Sequence, residues 1–225
     1  MKTDSIIVLC GGLGTRVKNF SKGNPKILIP ILKKPFFYYL LKKFKKNGIK
    51  NIYLLTQYKS KQIENYVKNI KNFNFFIYKD GRKKLGTGGS LKKNLKNFPN
   101  YFFLTYGDSY LDIKYSTLRK KNSETNKSII SIYKNHKKFK NNIFLKNKKI
   151  LEYSKGKDFN YIDYGLFLFK KKHLEMFNIK SQRFDLGKYI SFLIKKNNLS
   201  YVISKKKFNE CGSLEGIKKI EKLIK

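Results

Sequence analysis

The residues with chemical potential start in "IIVLCGGLGTRVKN", Ile6 to Asn19. A hydrophobic run ending at Leu9 and Cys10 stops at Gly11 and Gly12, passes Gly14 and Thr15, and then presents Arg16. Arginine occurs only at positions 16, 82, 119 and 183 of a chain with 52 Lys and Arg together, so its use here is selective. Glycines after a strand let backbone N–H groups approach a phosphate closely; an ordinary tight turn would use the same residues. Farther on, "NPKILIPILKKPF" sets Lys26 directly behind Pro25, whose ring stiffens the segment and fixes where the lysine points. An arginine and a lysine on a stiff loop beside exposed amides form a cradle for a triphosphate. The glycines follow neither the G-x-x-x-x-G-K-[ST] phosphate loop nor the dinucleotide G-x-G-x-x-G pattern, whose third glycine would fall at Val17.

These residues need elements to hold them. "SIIVLC" reads as a buried strand. "PFFYYLLKKFKKNG" places Phe36, Phe37, Leu40, Leu41 and Phe44 on one helical face, with Gly48 as its stop. "KNIYLLTQ" reads as a strand, "SKQIENYVKNI" as a helix with Ser60 as N-cap, and "FNFFIY" as another buried strand. "GGSLKKNLKNF" reads as a helix opening on glycines, and "NYFFLTYGDS" as a strand running into a turn. Alternation of this kind specifies βαβ units and a largely parallel sheet with helices on both faces. After Tyr110, "KSIISIYK", "NNIFLKN", "KKILEYS" and "YIDYGLFLFKK" are strand-like with few helices between them, which predicts mixed or antiparallel pairing. Helices are expected around 184–196 and 213–224, with "LSYVIS" as a strand between. Asp112 reads as the cap of a helix starting near Tyr115.

The 225 residues suit one domain, 1–225, with no linker within it. Hydrophobic residues make up 40% and aromatics 16%, enough to build a core. No apolar run reaches the roughly 20 residues that cross a bilayer, and "MKTDSIIVLC" does not read as a signal peptide. The reading is a cytoplasmic protein without membrane association. Cys10 and Cys211 are too few for a disulfide framework and read as two small buried thiols, a functional bond between them being the alternative. The net charge of +38 predicts attraction to polyanions. Its lysines, however, are spread along the whole chain with asparagine and isoleucine, and clustered arginine is lacking. Compositional drift accounts for that spread better than selection for nucleic acid. His136 and His173 lie in lysine-rich stretches without an acidic neighbour and read as surface or packing residues.

GGLGTR followed by PKxLxPxxxxPF resembles the sugar-1-phosphate nucleotidylyltransferases, or sugar-nucleotide pyrophosphorylases. "LGTGGSL" is similar to that family's nucleotide loop, "LTYGDSYLD" to its magnesium-binding Gly-Asp, "YIDYGLFLF" to its sugar-contacting segment and "FNECGSLEG" to its second metal carboxylate. The motifs occur in the family's order. Within the family, the short length and the "GTGG" and "YGDSYL" wording most resemble the D-glycero-D-manno-heptose 1-phosphate guanylyltransferase type. The resemblance implies a Rossmann-like, GT-A-like α/β fold with a mostly parallel mixed central sheet flanked by helices. It implies transfer of a nucleotidyl group from a nucleoside triphosphate to a sugar 1-phosphate, with Mg2+ as cofactor, in surface-glycan precursor synthesis such as that of GDP-heptose.

The roles it implies are specific. Arg16, Lys26 and Asp108 are catalytic, with Arg16 holding the departing pyrophosphate through a fork that lysine lacks. Leu9, Gly11, Gly12, Gly14, Thr15, Gly86, Thr87 and Gly88, with Gly89, bind nucleotide. Lys155, or Lys157 if the register slips, grips the sugar phosphate, and Asp163 and Gly165 contact sugar hydroxyls. Asp108 and Glu210 hold the metal. The chain departs from the family at four positions: Lys84 stands where Pro is frequent, Gln57 where Gly is frequent, Glu210 for Asp and Asp163 for Asn. Two other readings stay open: a nucleotide-binding regulatory module with impaired catalysis, and a basic nucleic-acid-binding protein. The sequence leaves a homo-oligomer open.

Overall fold

The structure is a computed structural model describing residues 3–12, 21, 23–81, 84–135, 141–154 and 159–225. Its first elements are β1 (Ser5–Leu9), β2 (Pro30–Ile31), β3 (Lys34–Pro35), α1 (Phe36–Lys46), β4 (Asn51–Thr56), α2 (Ser60–Val67) and β5 (Asn74–Lys79). There follow α3 (Gly86–Asn94), β6 (Tyr101–Tyr106), β7 (Ser109–Tyr110), α4 (Tyr115–Thr125), β8 (Ser128–Lys134), β9 (Ile143–Lys146), β10 (Lys149–Tyr153) and β11 (Tyr161–Lys170). The last are α5 (Lys171–Glu175), α6 (Leu186–Lys195), β12 (Leu199–Ser204), β13 (Asn209–Glu210) and α7 (Leu214–Ile224). The chain divides into two compact units, one of Asp4–Lys83, Thr105–Leu111 and Phe208–Lys225, the other of Met1–Thr3, Lys84–Leu104 and Asp112–Lys207.

The first unit is the βαβ layer. β1 pairs in parallel with β4, and β4 with β5. Parallel strands covered by helices are buried and read as continuous apolar runs, and Ile6, Ile7, Val8, Ile52 and Leu54 are fully buried. α1 presents Phe36, Phe37, Leu40, Leu41 and Phe44 to the core, and the Phe37 ring meets Tyr66 of α2 and Phe75 of β5. β5 departs from the expected buried strand: its residues alternate in exposure and Phe76 is 40% exposed. The strand ends the sheet order, so its pleat puts every second side chain in a thinner environment, where Tyr53 stacks on Phe76 at 4.6 Å. Ser60 is the first helical residue of α2 and not its cap; Lys59 holds the cap position in the left-handed conformation.

The second unit has the expected mixed pairing. β11 runs antiparallel to β8 and β9, β9 antiparallel to β10, and β12 parallel to β8. Asp112 does not cap α4. Lys114 occupies the cap position with no side-chain bond, because a cap must directly precede the first turn and Asp112 comes too early. Its carboxylate instead meets Lys206 Nζ at 2.6 Å, and its N–H donates to Tyr164 OH. α3 and the start of α6 interlock. The Gly88 and Gly89 amides both donate to Phe184 O at 3.0 Å, and Thr87 Oγ1 accepts from Leu186 N, the first residue of α6, at 2.8 Å. A Cβ at Gly88 would lie 2.5 Å from the Phe184 ring, and one at Gly89 2.2 Å from Gln182 O. Packing against Phe184 and Gln182 is therefore enough to require glycine at both positions.

Gly88→Ala is expected to cost about 1–3 kcal/mol through overpacking. In a thermal melt this appears as a drop of about 2–4 °C per kcal/mol. An unchanged melting temperature would show that the Phe184 segment yields freely.

Candidate functional site

Three stretches that are distant in sequence meet within the first unit. β1 ends at Leu9, whose carbonyl accepts from Gly107 N at 3.0 Å. A Cβ at Gly107 would lie 3.1 Å from that same oxygen and 3.3 Å from Cys10 Sγ, so glycine lets the β6–β7 turn press against the end of β1. The turn then presents Asp108. Lys26 opens a short 3-10 turn behind Pro25, and its Nζ donates to Asp108 Oδ2 at 2.9 Å, with the two side chains only 17% and 24% exposed. From the C-terminal segment, β13 pairs antiparallel with β7 and sets Glu210 opposite Ser109. Cys211 N donates to Asp108 O at 2.9 Å, and Cys211 Sγ donates to Lys26 O. Glu210 is pressed against the start of α7: a Cβ at Gly216 would fall 1.9 Å from its carbonyl oxygen, and one at Gly212 3.4 Å from its carboxylate.

The thiols form the floor of this arrangement. Both are buried and free. Burial pushes each well above the usual thiol range; Asp108 adds to it for both, and for Cys211 Lys26 opposes while Glu210 reinforces. Burial thus disfavours the thiolate form of both in the metal-free protein. Cys211 ties the Lys26 and Asp108 backbones together, and Glu210 precedes it on β13. Two carboxylates are hard oxygen donors of the kind magnesium takes, usually one or two alongside substrate phosphates and water. The donor set of Asp108 and Glu210 fits that ion. Among the described residues, no group of three or more His, Cys, Asp or Glu side chains gathers as a closed metal site.

Of the other sequence-derived candidates, Gly11 and Gly12 follow β1, and a Cβ at Gly12 would meet nothing within 4 Å. Gly14, Thr15, Arg16, Lys155, Lys157 and His136 lie outside the described residues. Gly86, Thr87, Gly88 and Gly89 open α3 in the second unit, where two amides and the Thr87 hydroxyl are engaged by Phe184 and Leu186. Asp163 and Gly165 lie together on β11. Asp163 Oδ1 accepts from Gly165 N at 2.8 Å, Oδ2 accepts from Tyr153 OH at 3.3 Å, and Asp163 N donates to Asn142 Oδ1. Sequence reasoning missed Tyr153 and Asn142, which left no local signal, whereas Gly107 was read together with Asp108 in the Gly-Asp turn. His173 is buried against Ser128 Oγ at 3.2 Å. Burial, then Lys170 and Lys172, push it down to about 4, so it is a neutral packing residue.

A model of the nucleotidyl transferase family matches residues 5–224, and the chain belongs to that family. It is 40% identical over 113 residues to the D-glycero-alpha-D-manno-heptose 1-phosphate guanylyltransferase of Campylobacter jejuni, covering 50% of this chain and 51% of that one. It is 39% identical over 87 residues to the Aneurinibacillus thermoaerophilus protein of the same name, covering 39% of this chain and 38% of that one. The chain thus spans about half the length, or less, of these curated relatives. HddC from Yersinia pseudotuberculosis superposes with a TM-score of 0.81 at 24% identity, covering 99% of this chain and all of that one. The inositol-1-phosphate CTP transferase of T. maritima superposes at 0.85 with 19% identity, covering 99% and 95%. The fold is accordingly the Rossmann-like α/β fold of these proteins, with a mostly parallel mixed sheet and flanking helices. No helix among the described residues is long and apolar enough to cross a membrane.

His173 has a pH consequence. A histidine held neutral in the fold binds a proton more readily once unfolded, so its contribution is complete above about pH 6.5 and declines as pH falls toward 4. His173→Gln should lose less melting temperature than the parent between pH 6.5 and 4. Parallel curves for the two proteins would refute the assignment.

Proposed function

We propose that the protein transfers a nucleotidyl group from a nucleoside triphosphate to a sugar 1-phosphate, releasing pyrophosphate. GTP with a heptose 1-phosphate is the first substrate pair to test, because the two relatives above bear that enzyme's name and another HddC structure of this fold is a complex with GMP-PN. The observation that carries the reading is the Lys26–Asp108 pair at the end of β1, with Glu210 beside it on β13.

In this reaction an oxygen of the sugar phosphate attacks the α-phosphorus and the bond to pyrophosphate breaks. The nucleophile is already ionised near neutral pH, since the second ionisation of a phosphate monoester lies at about 6. No general base is required, in keeping with a neutral, buried His173. The task is to bring two anions together in line, by positioning and charge neutralisation. Lys26 supplies a cation at the junction of the reacting phosphates. Arg16, close behind Gly14, is assigned to the leaving pyrophosphate. Asp108 and Glu210 would hold magnesium, which when bound neutralises the developing charge. Gly86 and Thr87, at the mouth of α3, are assigned to the nucleotide; Asp163 and Gly165, with Lys155, to the sugar phosphate. The high lysine content suits anionic substrates.

Pyrophosphate release from a panel of nucleotides and sugar 1-phosphates tests the proposal, and a folded protein that turns over no pair would sink it. Asp108→Asn should lower kcat by about 10²-fold or more while leaving the melting temperature near that of the parent. Arg16→Lys should lower turnover substantially through loss of the bidentate fork; parent-like activity would remove Arg16 from the pyrophosphate role.

A further inference from the structure

Resting on that reading, we propose that Lys26 acts as a stand-in cation on Asp108, keeping free metal out until a polyphosphate arrives to take the lysine. Lys26 Nζ sits on Asp108 Oδ2 at 2.9 Å. A cation cannot take up that oxygen while the ammonium stays, because two positive charges at such a distance repel strongly where solvent is scarce. The pair is largely shielded by the chain, so water screens it weakly. A second observation points the same way. Among the described residues no group of three or more acidic, histidine or cysteine side chains gathers as a metal site. Two carboxylates make a poor free-standing site for an ion that wants about six oxygens. Phosphate oxygens complete the set and, at the same moment, offer Lys26 a new anionic partner.

The fold permits the exchange. The Lys26 backbone is held by Cys211 Sγ, which donates to its carbonyl, and by the 3-10 turn behind Pro25. The Asp108 backbone is held by Cys211 N. Both main chains stay fixed while only the lysine side chain needs to swing. Without the lysine, Asp108 would lose the cation that lies 2.9 Å from its carboxylate. The lysine therefore serves the empty protein by balancing charge and the loaded protein by meeting phosphate.

The test uses the whole chain, Mn2+ as the ion and inorganic pyrophosphate as a base-independent polyphosphate, with protein-bound Mn2+ measured by equilibrium dialysis. The parent should bind Mn2+ alone weakly and gain at least about tenfold when pyrophosphate is present. Lys26→Met and Lys26→Gln should bind Mn2+ alone at least about tenfold more tightly than the parent and gain less from pyrophosphate. Parent and variants binding Mn2+ alone equally well would overturn the proposal. Should neither variant fold, the parent decides it: Mn2+ affinity unchanged by pyrophosphate overturns the exchange. These readouts need no turnover. An exchange seen in a protein that never transfers a nucleotide would retire the proposed activity and leave the lysine's role standing, whereas turnover without exchange would do the reverse.

Discussion

The ion pair between Lys26 and Asp108 is the contact at which the long-range packing of the first unit converges. A largely shielded lysine and aspartate still need both backbones fixed to hold this geometry, because an ion pair of long side chains otherwise loses much of its gain to side-chain entropy. The structure fixes both. Pro25 and the 3-10 turn set the lysine, and the contact of Gly107 with Leu9 sets the aspartate. Cys211 bonds to each of the two partners. The C-terminal segment is thereby tied to the chemistry: β13 brings Glu210 in, and α7, with Ser213 capping it on Gly216 N, locks that strand in place.

The same economy of backbone is seen in the second unit. Glycines that resemble a nucleotide loop also serve packing, since Phe184 and Gln182 occupy the space where side chains would stand. The first turn of α6 takes its hydrogen bond from Thr87, a residue of another helix, in place of a side-chain cap of its own. Asp163 is likewise held by its own strand through Gly165 and by Tyr153. A site built on groups already held by neighbours loses little ordering entropy when a ligand arrives.

The high charge fits this architecture without a separate function. Lys26 rests on the Asp108 carboxylate, and the buried Lys170 bonds to the Asn126 carbonyl. Most other lysines lie on exposed positions of both units, where they provide solubility and a field attractive to phosphates.

Periodicity and turn residues made much of the fold legible in the sequence. The α1 face, the parallel strands, the antiparallel run after Tyr110 and the last two helices all follow from where apolar residues recur. Gly107 and Asp108 were visible as a strand-to-turn transition, and Lys26 as a lysine between prolines. Where local pattern failed, tertiary environment had intervened. Phe76 is half open because β5 lies at the end of the sheet, Ser60 yielded the cap to Lys59, and Asp112 turned to Lys206. The meeting of Lys26 with Asp108, and of β13 with β7, is likewise beyond periodicity, because it joins segments separated by 82 residues and more. Sequence by itself determined which residue types could meet phosphate and metal. Only the folded chain decided that the lysine rests on the aspartate and that Cys211 supports both, because such contacts come from long-range pairing and burial, which no local spacing encodes.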